Sequence, residues 1–202
     1  MKKLIVFDFD KTLTYKDSLR GFYFFASKKG LGFPFKILRY YFLVIKRKLN
    51  LISLIDLNYY AIKFFLADYN KNDLNTIGKN YIKRIIFNKI YYGDYAELSR
   101  DEENQVIITS ASFDVYLRHF GFKHLLATEL EFENDKPAGI KFLNHRENKL
   151  KKIKETGITS IDVLYTDSIS DLPLAKIAKQ TILIRGDKKI VCNSIEEFLR
   201  AI

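Results

Sequence analysis

The chain has 202 residues, with 34 Lys and Arg against 24 Asp and Glu, a formal net charge of +10, and 48% hydrophobic residues. That length can bury a real core, either as one domain or as a core carrying a modest insert. A single cysteine, Cys192, excludes an internal disulfide and fits a reducing compartment.

Residues 4–7, Leu-Ile-Val-Phe, form a short all-apolar run, the pattern of a strand buried on both faces of a parallel sheet. Met-Lys-Lys ahead of it mimics a signal peptide, but Asp8 ends the run too soon for one. No charge-free apolar stretch approaches the ~20 residues of a membrane span. The expected location is the cytoplasm, with peripheral attachment to the inner face of a membrane left open. Two carboxylates, Asp8 and Asp10, follow the strand. Desolvated like charges raise each other's pKa, and a bound cation would resolve the conflict.

Residues 17–88 carry apolar positions at helical three- and four-residue spacings, and four helices and no strand are expected there. Gly30, Gly32 and Pro34 separate the first helix from the second, Asn50 the second from the third, and Asn70 caps the fourth. Composition marks the same stretch. Residues 15–95 hold 15 Lys or Arg against 5 Asp or Glu and 20 of the 30 Phe and Tyr, whereas the remainder carries 19 charges of each sign. A neutral α/β part, residues 1–14 and 96–202, is thus interrupted by a basic, aromatic helical segment, residues 15–95.

Beyond it, a helix is expected over residues 95–103, a strand over 106–109 and a helix over 112–120 closed by Gly121. A hairpin over 125–133 and 140–142 turns around residues 135–139. A helix over 147–155 precedes Gly157, and a strand over 163–166 leads to a helix opening near Asp171. Short strands at 181–184 and 190–192 and a helix at 195–201 complete the chain. Strands alternating with helices predict a doubly wound, mainly parallel sheet with one small antiparallel excursion.

Three polar clusters lie just past predicted strands: Asp8 with Asp10, Thr109-Ser-Ala-Ser112, and Tyr165-Thr-Asp-Ser-Ile-Ser-Asp171. In a parallel sheet these ends converge on one rim, where open α/β sheets bind ligands. Lys149 adds a cation from a helix. Oxygen ligands favour a hard ion such as Mg²⁺, and no His or Cys cluster suggests zinc.

The strings DFDKTLT, ITSAS, the lone lysine of NKLKKI and YTDSISDLPLA resemble, in order and spacing, the four motifs of the haloacid dehalogenase-like phosphatases. The resemblance covers the α/β part and implies a Rossmann-like core; the insert resembles the helical cap of the phosphoserine-phosphatase-like branch. It implies Asp8 as nucleophile and Asp10 as general acid and base. It implies Mg²⁺ held by Asp8, the Asp10 backbone carbonyl and Asp167. Ser110 and Lys149 would bind the phosphoryl group, Thr12 would tie down the turn, and Asp171 would bind metal waters or orient Lys149. Taken singly, each residue has an ordinary reading as a turn, cap or surface group. Ser112, Ser168 and Ser170 keep the reading of local caps, and His119, His124 and His145 are assigned no role. Lys11 stands where the family usually has Gly or Ser and is expected to point outward.

Substrate choice rests on the insert. Its stretch GFPFKILRYYFLVIKRKLNLISLI is basic and aromatic, fit either to lie on an anionic membrane or to fill a helical bundle's own core. The first reading resembles the capped phosphatidylglycerophosphate phosphatases of bacteria. Asp17 sits where phosphoserine phosphatases bind the serine ammonium, but the third helix has no clear arginine for a substrate carboxylate. Sugar and polyol phosphates stay open. A basic, aromatic surface also suits nucleic acid, yet no binding module is recognisable, and no nucleic-acid partner is expected.

Overall fold

In the computed structural model, which describes residues 2–27 and 30–202, β1 (Lys3–Asp8) is the middle strand of a seven-stranded sheet. Its neighbours are β2 (Asn104–Phe113) and β5 (Ile161–Thr166), both parallel to it. Beyond β2 lie β3 (Leu125–Glu133) and β4 (Lys136–Phe142); beyond β5 lie β6 (Ala178–Arg185) and β7 (Lys188–Cys192). The sheet order is β4-β3-β2-β1-β5-β6-β7, and both outermost pairs are antiparallel. The sequence pattern suggested one such pair. The second arises because Gly186, at φ +59°, permits a tight reversal between β6 and β7.

The strand period divides the core cleanly. Ile5 and Phe7 join one apolar layer with Ile108, Val163, Tyr165 and the helical insert. Leu4 and Val6 join the other with Ile107, Leu164 and Leu183. That second layer is covered by α7 (Glu147–Glu155), α8 (Leu172–Ala175) and α9 (Ile195–Ala201) through Ile153, Leu174 and Phe198.

The insert leaves and re-enters through a short antiparallel bridge, Thr14 to Phe87. Between them lie α1 (Ser18–Ala26), α2 (Phe33–Lys48), α3 (Leu54–Phe65) and α4 (Lys71–Tyr81), the four helices the spacing predicts. Capping boxes Ser53/Asp56 and Asn70/Asp73 start α3 and α4. Aromatic rings knit the bundle to the sheet: Phe22 lies 4.7 Å from Tyr116, and Tyr23 lies 5.6 Å from Phe113, ring centre to ring centre. No helix among the described residues is long and apolar enough to cross a membrane.

Three local expectations are revised. The helix expected at 95–103 is α5 (Lys89–Arg100); Asn88 caps it, so it begins before the change in composition. Strand β2 runs on to Phe113 through an irregularity against β3, which leaves only α6 (Asp114–Leu117) and a 3₁₀ turn where residues 112–120 suggested a longer helix. The β3–β4 reversal is a two-residue turn at Asn134 and Asp135, with φ +48° and +64°, and Pro137 lies within edge strand β4.

Helix α4 crosses α6 at Gly78, where a Cβ would lie 2.6 Å from the Val115 carbonyl oxygen. Gly78→Ala is therefore expected to lower stability by about 1–3 kcal/mol. Gly93→Ala, inside α5 with nothing within 4 Å of the new methyl, should raise it by about 0.5–1 kcal/mol. Urea unfolding of the two variants checks both signs.

Candidate active site

The parallel register places Asp8 beside Thr109 and Phe7 beside Tyr165, so the ends of β1, β2 and β5 meet at one rim. A cleft of about 250 Å³ opens there. Asp8, Asp10, Lys11, Asp17, Lys149 and Asp167 are among the residues lining it.

Lys149, on α7, is the centre of the charge arrangement. Its Nζ donates to Asp8 Oδ1 and to Asp171 Oδ1, each at 2.7 Å, and all three residues are buried. Thr166, the last residue of β5, donates to the other Asp171 oxygen at 2.7 Å. Burial opposes the lysine charge, but Asp171 and Asp8 together overcome it and raise its pKa. Burial also pushes the Asp8 carboxyl upward; Lys149 pulls it down, and Asp171 and Asp167 push it up again, leaving it raised.

Asp10 sits in the turn after β1. Its Oδ1 accepts the Ser18 backbone N–H at 2.6 Å and its Oδ2 accepts the Ser112 hydroxyl. Burial and the nearby Asp17 charge raise its pKa to about 6, against the effect of those donors. Ser18 is held in turn by Tyr116 through its hydroxyl (2.7 Å) and by Tyr81 through its carbonyl (2.6 Å). The acid is thereby tied to the first residue of α1.

The other expected site residues fall as follows. Ser110 is buried and is not among the residues that line the cleft, as its neighbours Ala111 and Ser112 are; its oxygen accepts the Ser112 N–H at 3.0 Å, which leaves its own proton free to donate. Asp167 lines the cleft, its pKa raised by burial and restrained by Lys11. Asp17 lines it too, while capping α1 through the Arg20 N–H. Lys11, at φ +60°, is exposed but does not simply point outward: it lines the cleft, and its charge acts on Asp167.

Two further readings change. Thr12 does not tie down the turn: its hydroxyl is buried without a hydrogen-bond partner, whereas Thr14 Oγ1 accepts the Lys11 N–H at 3.2 Å and donates to the Lys16 carbonyl at 2.9 Å. Ser112 is no local cap, because the extension of β2 aims its hydroxyl at Asp10. Ser168 keeps its local role, accepting the Ser170 N–H at 3.1 Å.

His145 and Asn58, singled out by no spacing, also line the cleft. His145 lies four residues before Lys149, but across an irregular turn with Arg146 at φ +52°, so no periodicity points to it. Burial, then Lys149 and Arg146, lowers its pKa to about 4.

The donor set suits a small hard cation. The Asp8 and Asp167 carboxylates, raised in pKa first of all by burial, would supply oxygen ligands to such an ion. No group of three acid, imidazole or thiol side chains among the described residues forms a metal cage. Mg²⁺ fits such a site, because it needs only one or two carboxylates, with water and phosphate completing its shell.

A family model, haloacid dehalogenase-like hydrolase, matches residues 5–176, and the chain belongs to that family. Among solved structures, a protein of unknown function from Bordetella pertussis Tohama I is 20% identical at a TM-score of 0.75, with 91% of this chain and 90% of that one covered. A phosphoserine phosphatase carrying a phospho-aspartyl intermediate analogue is 20% identical at a TM-score of 0.61, with 100% and 99% covered. These likenesses show the fold. No protein of curated function matches the chain.

Two outcomes are expected. Lys149→Met leaves Asp8 and Asp171 buried without their cation and should cost about 3–5 kcal/mol in chelator-treated protein, measured by urea unfolding. His145 should stay neutral until the pH nears 4, as followed by its ring NMR signals. Its folded pKa lies below the ordinary 6.5, so its contribution to stability is complete above that pH and is lost as the pH falls toward 4. The wild type should therefore lose more stability than His145→Gln across that interval.

Proposed function

We propose that the chain is a phosphomonoester hydrolase working through a phosphoryl group carried on Asp8. The observation that carries this reading is the buried Asp8–Lys149–Asp171 arrangement at the cleft floor, with Asp10 beside it. An Asp8 oxygen attacks phosphorus in line while the P–O bond to the leaving alcohol breaks, and Asp10 delivers the proton to that oxygen. Asp10 then takes a proton from water, which attacks the phosphorus of the aspartyl-phosphate and releases inorganic phosphate and the Asp8 carboxylate. A pKa near 6 lets Asp10 serve in both directions at neutral pH. Lys149 and the free Ser110 proton hold phosphoryl oxygens. Mg²⁺, held by Asp8, the Asp10 carbonyl and Asp167, would offset the charge on the phosphoryl oxygens when bound. The insert, residues 15–95, acts as a cap domain over a core of residues 1–14 and 96–202.

Besides the charged floor, the cleft is lined by Leu19, Leu54 and Leu143 with Asn58, His145 and Asp17. Among the described residues its cations are Lys11 and Lys149, and no arginine lines it. That set offers an amino-acid carboxylate no bidentate partner, which disfavours phosphoserine. Our first reading of the substrate is a phosphomonoester presented at a membrane, of the phosphatidylglycerophosphate kind, supported by the exposed apolar face of α2. The small cleft volume supports a second reading, a soluble polyol or sugar phosphate.

A hydrolysis panel with and without Mg²⁺ tests both, pairing phosphatidylglycerophosphate in vesicles with glycerol phosphate and phosphoserine. Asp8→Asn should reduce turnover by ~10³-fold or more, and a chelator should abolish it. Turnover that survives Asp8→Asn would overturn the covalent route. A preference for phosphoserine would overturn the substrate assignment alone.

A further inference from the structure

Helix α2 is apolar on two sides. One side packs inward: Tyr40 is buried with its ring centre 5.6 Å from Phe24 and 5.7 Å from Phe65, and Leu43 and Val44 lean on the same layer. The opposite side carries Leu31, Phe35, Leu38, Phe42, Ile45 and Leu49, each more than half exposed and Leu31 almost wholly so. The spacing alternates four and three, which places Phe35, Leu38, Phe42 and Ile45 in one row along a helix about 24 Å long, with Leu31 and Leu49 just beyond its two ends. Leu51 and Ile55 extend the apolar surface toward α3. Soluble monomers rarely leave a contiguous apolar surface of this kind in water.

The charges beside the row discriminate among occupants. Arg39, Lys46 and Lys48 flank the row, Lys36 and Arg47 lie on the inward side with Tyr40, and no acidic residue occurs between Asp17 and Asp56. A second copy meeting this row with its own would bring basic flanks together with no carboxylate between them, a repulsive arrangement. A nucleic acid would answer the charges but leave the aliphatic row wet. An anionic bilayer answers both, with apolar side chains below the headgroups and long cationic ones reaching back to them. Lys46 already folds over the Phe42 ring, its ammonium 4.9 Å from the ring centre.

We propose that α2 lies in the plane of an anionic lipid surface, inserting the row from Phe35 to Ile45, with Leu31 and Leu49 beyond it, among the acyl chains. The cleft lies near the C-terminal end of the docked helix: Leu54 and Asn58 of α3, which starts six residues after α2 ends, line it. Docking would hold the cleft beside the headgroups. This deepens the membrane-substrate reading above, on which only the orienting consequence rests; the docking itself needs no catalysis.

The full chain and its Asp8→Asn variant should both co-sediment with vesicles of phosphatidylcholine containing phosphatidylglycerol, less at high salt and not with phosphatidylcholine alone. Leu38→Glu with Phe42→Glu should weaken binding by about tenfold or more while hydrolysis of a soluble ester is unchanged. The chain has no Trp, so Phe42→Trp supplies a probe whose emission should shift to the blue on vesicles. Equal binding to neutral vesicles, binding indifferent to the paired substitution, or a Trp emission unmoved by lipid would overturn the proposal. So would a dimer in solution that the paired substitution abolishes, which would assign the row to a second copy. Loss of turnover in Asp8→Asn with binding intact separates failure of the catalytic reading from failure of this one.

Discussion

A carboxylate at the centre of a parallel sheet is the constraint on which the rest of the structure depends. Asp8 ends a strand that is apolar on both faces and flanked by β2 and β5, so solvent reaches it only from the rim. Its charge has to be answered within the protein. Lys149 does this from α7, but a buried lysine needs its own compensation, which Asp171 supplies while Thr166 occupies the second Asp171 oxygen. Each member satisfies the next, and the chain of contacts links β1, β5, α7 and the turn before α8. Such a network contributes less to net stability than to fixing geometry, because ion desolvation cancels much of the attraction. Fixed geometry is what phosphoryl transfer asks of a protein.

The parts legible in the sequence were those in which local chemistry and tertiary position agree. Residues 4–7 read as a buried strand, and Asn70 and Gly157 mark helix ends by their own conformational preferences. The acidic pair after β1 was equally visible, because no ordinary core strand ends that way. Illegible were contacts that depend on where distant chain segments meet. Thr12 and Thr14 are indistinguishable on paper; the fold buries one hydroxyl unsatisfied and sets the other against two backbone groups. Ser112 resembled a cap because its role depends on an irregularity in β2 that carries the strand four residues beyond Thr109. Ser18 and His145 have no sequence pattern at all. Their places follow from the insert and from the turn before α7.

The insert shows the same limit on a larger scale. Its aromatic residues were compatible with a self-contained bundle core or with a surface for lipid, and helical periodicity could not choose. The structure divides them. Phe22, Tyr23, Tyr40 and Phe65 pack inward, and Phe22 and Tyr23 reach Phe113 and Tyr116 of the sheet-bearing part. Phe35 and Phe42 face out. A helix with apolar residues on both sides does not reveal which side is which until its neighbours are in place.

The division bears on why the positive charge is where it is. A cap needed only to shield a cleft would carry lysines along its outer row, where they would keep it soluble and interfere with nothing. Here the outer row is apolar and the cations flank it, while the core part is neutral overall. The flanking cations raise the local concentration of any anion near the cleft. A phosphorylated substrate and an anionic surface are therefore drawn by one field, and the apolar row distinguishes them, since a soluble phosphate ester gains nothing from it. In the proposed function, recognition of phosphate would belong to the buried charges around Asp8 and recognition of the setting in which that phosphate is met to α2; the bond from the Ser18 N–H to Asp10 ties the insert that carries α2 to the turn after β1.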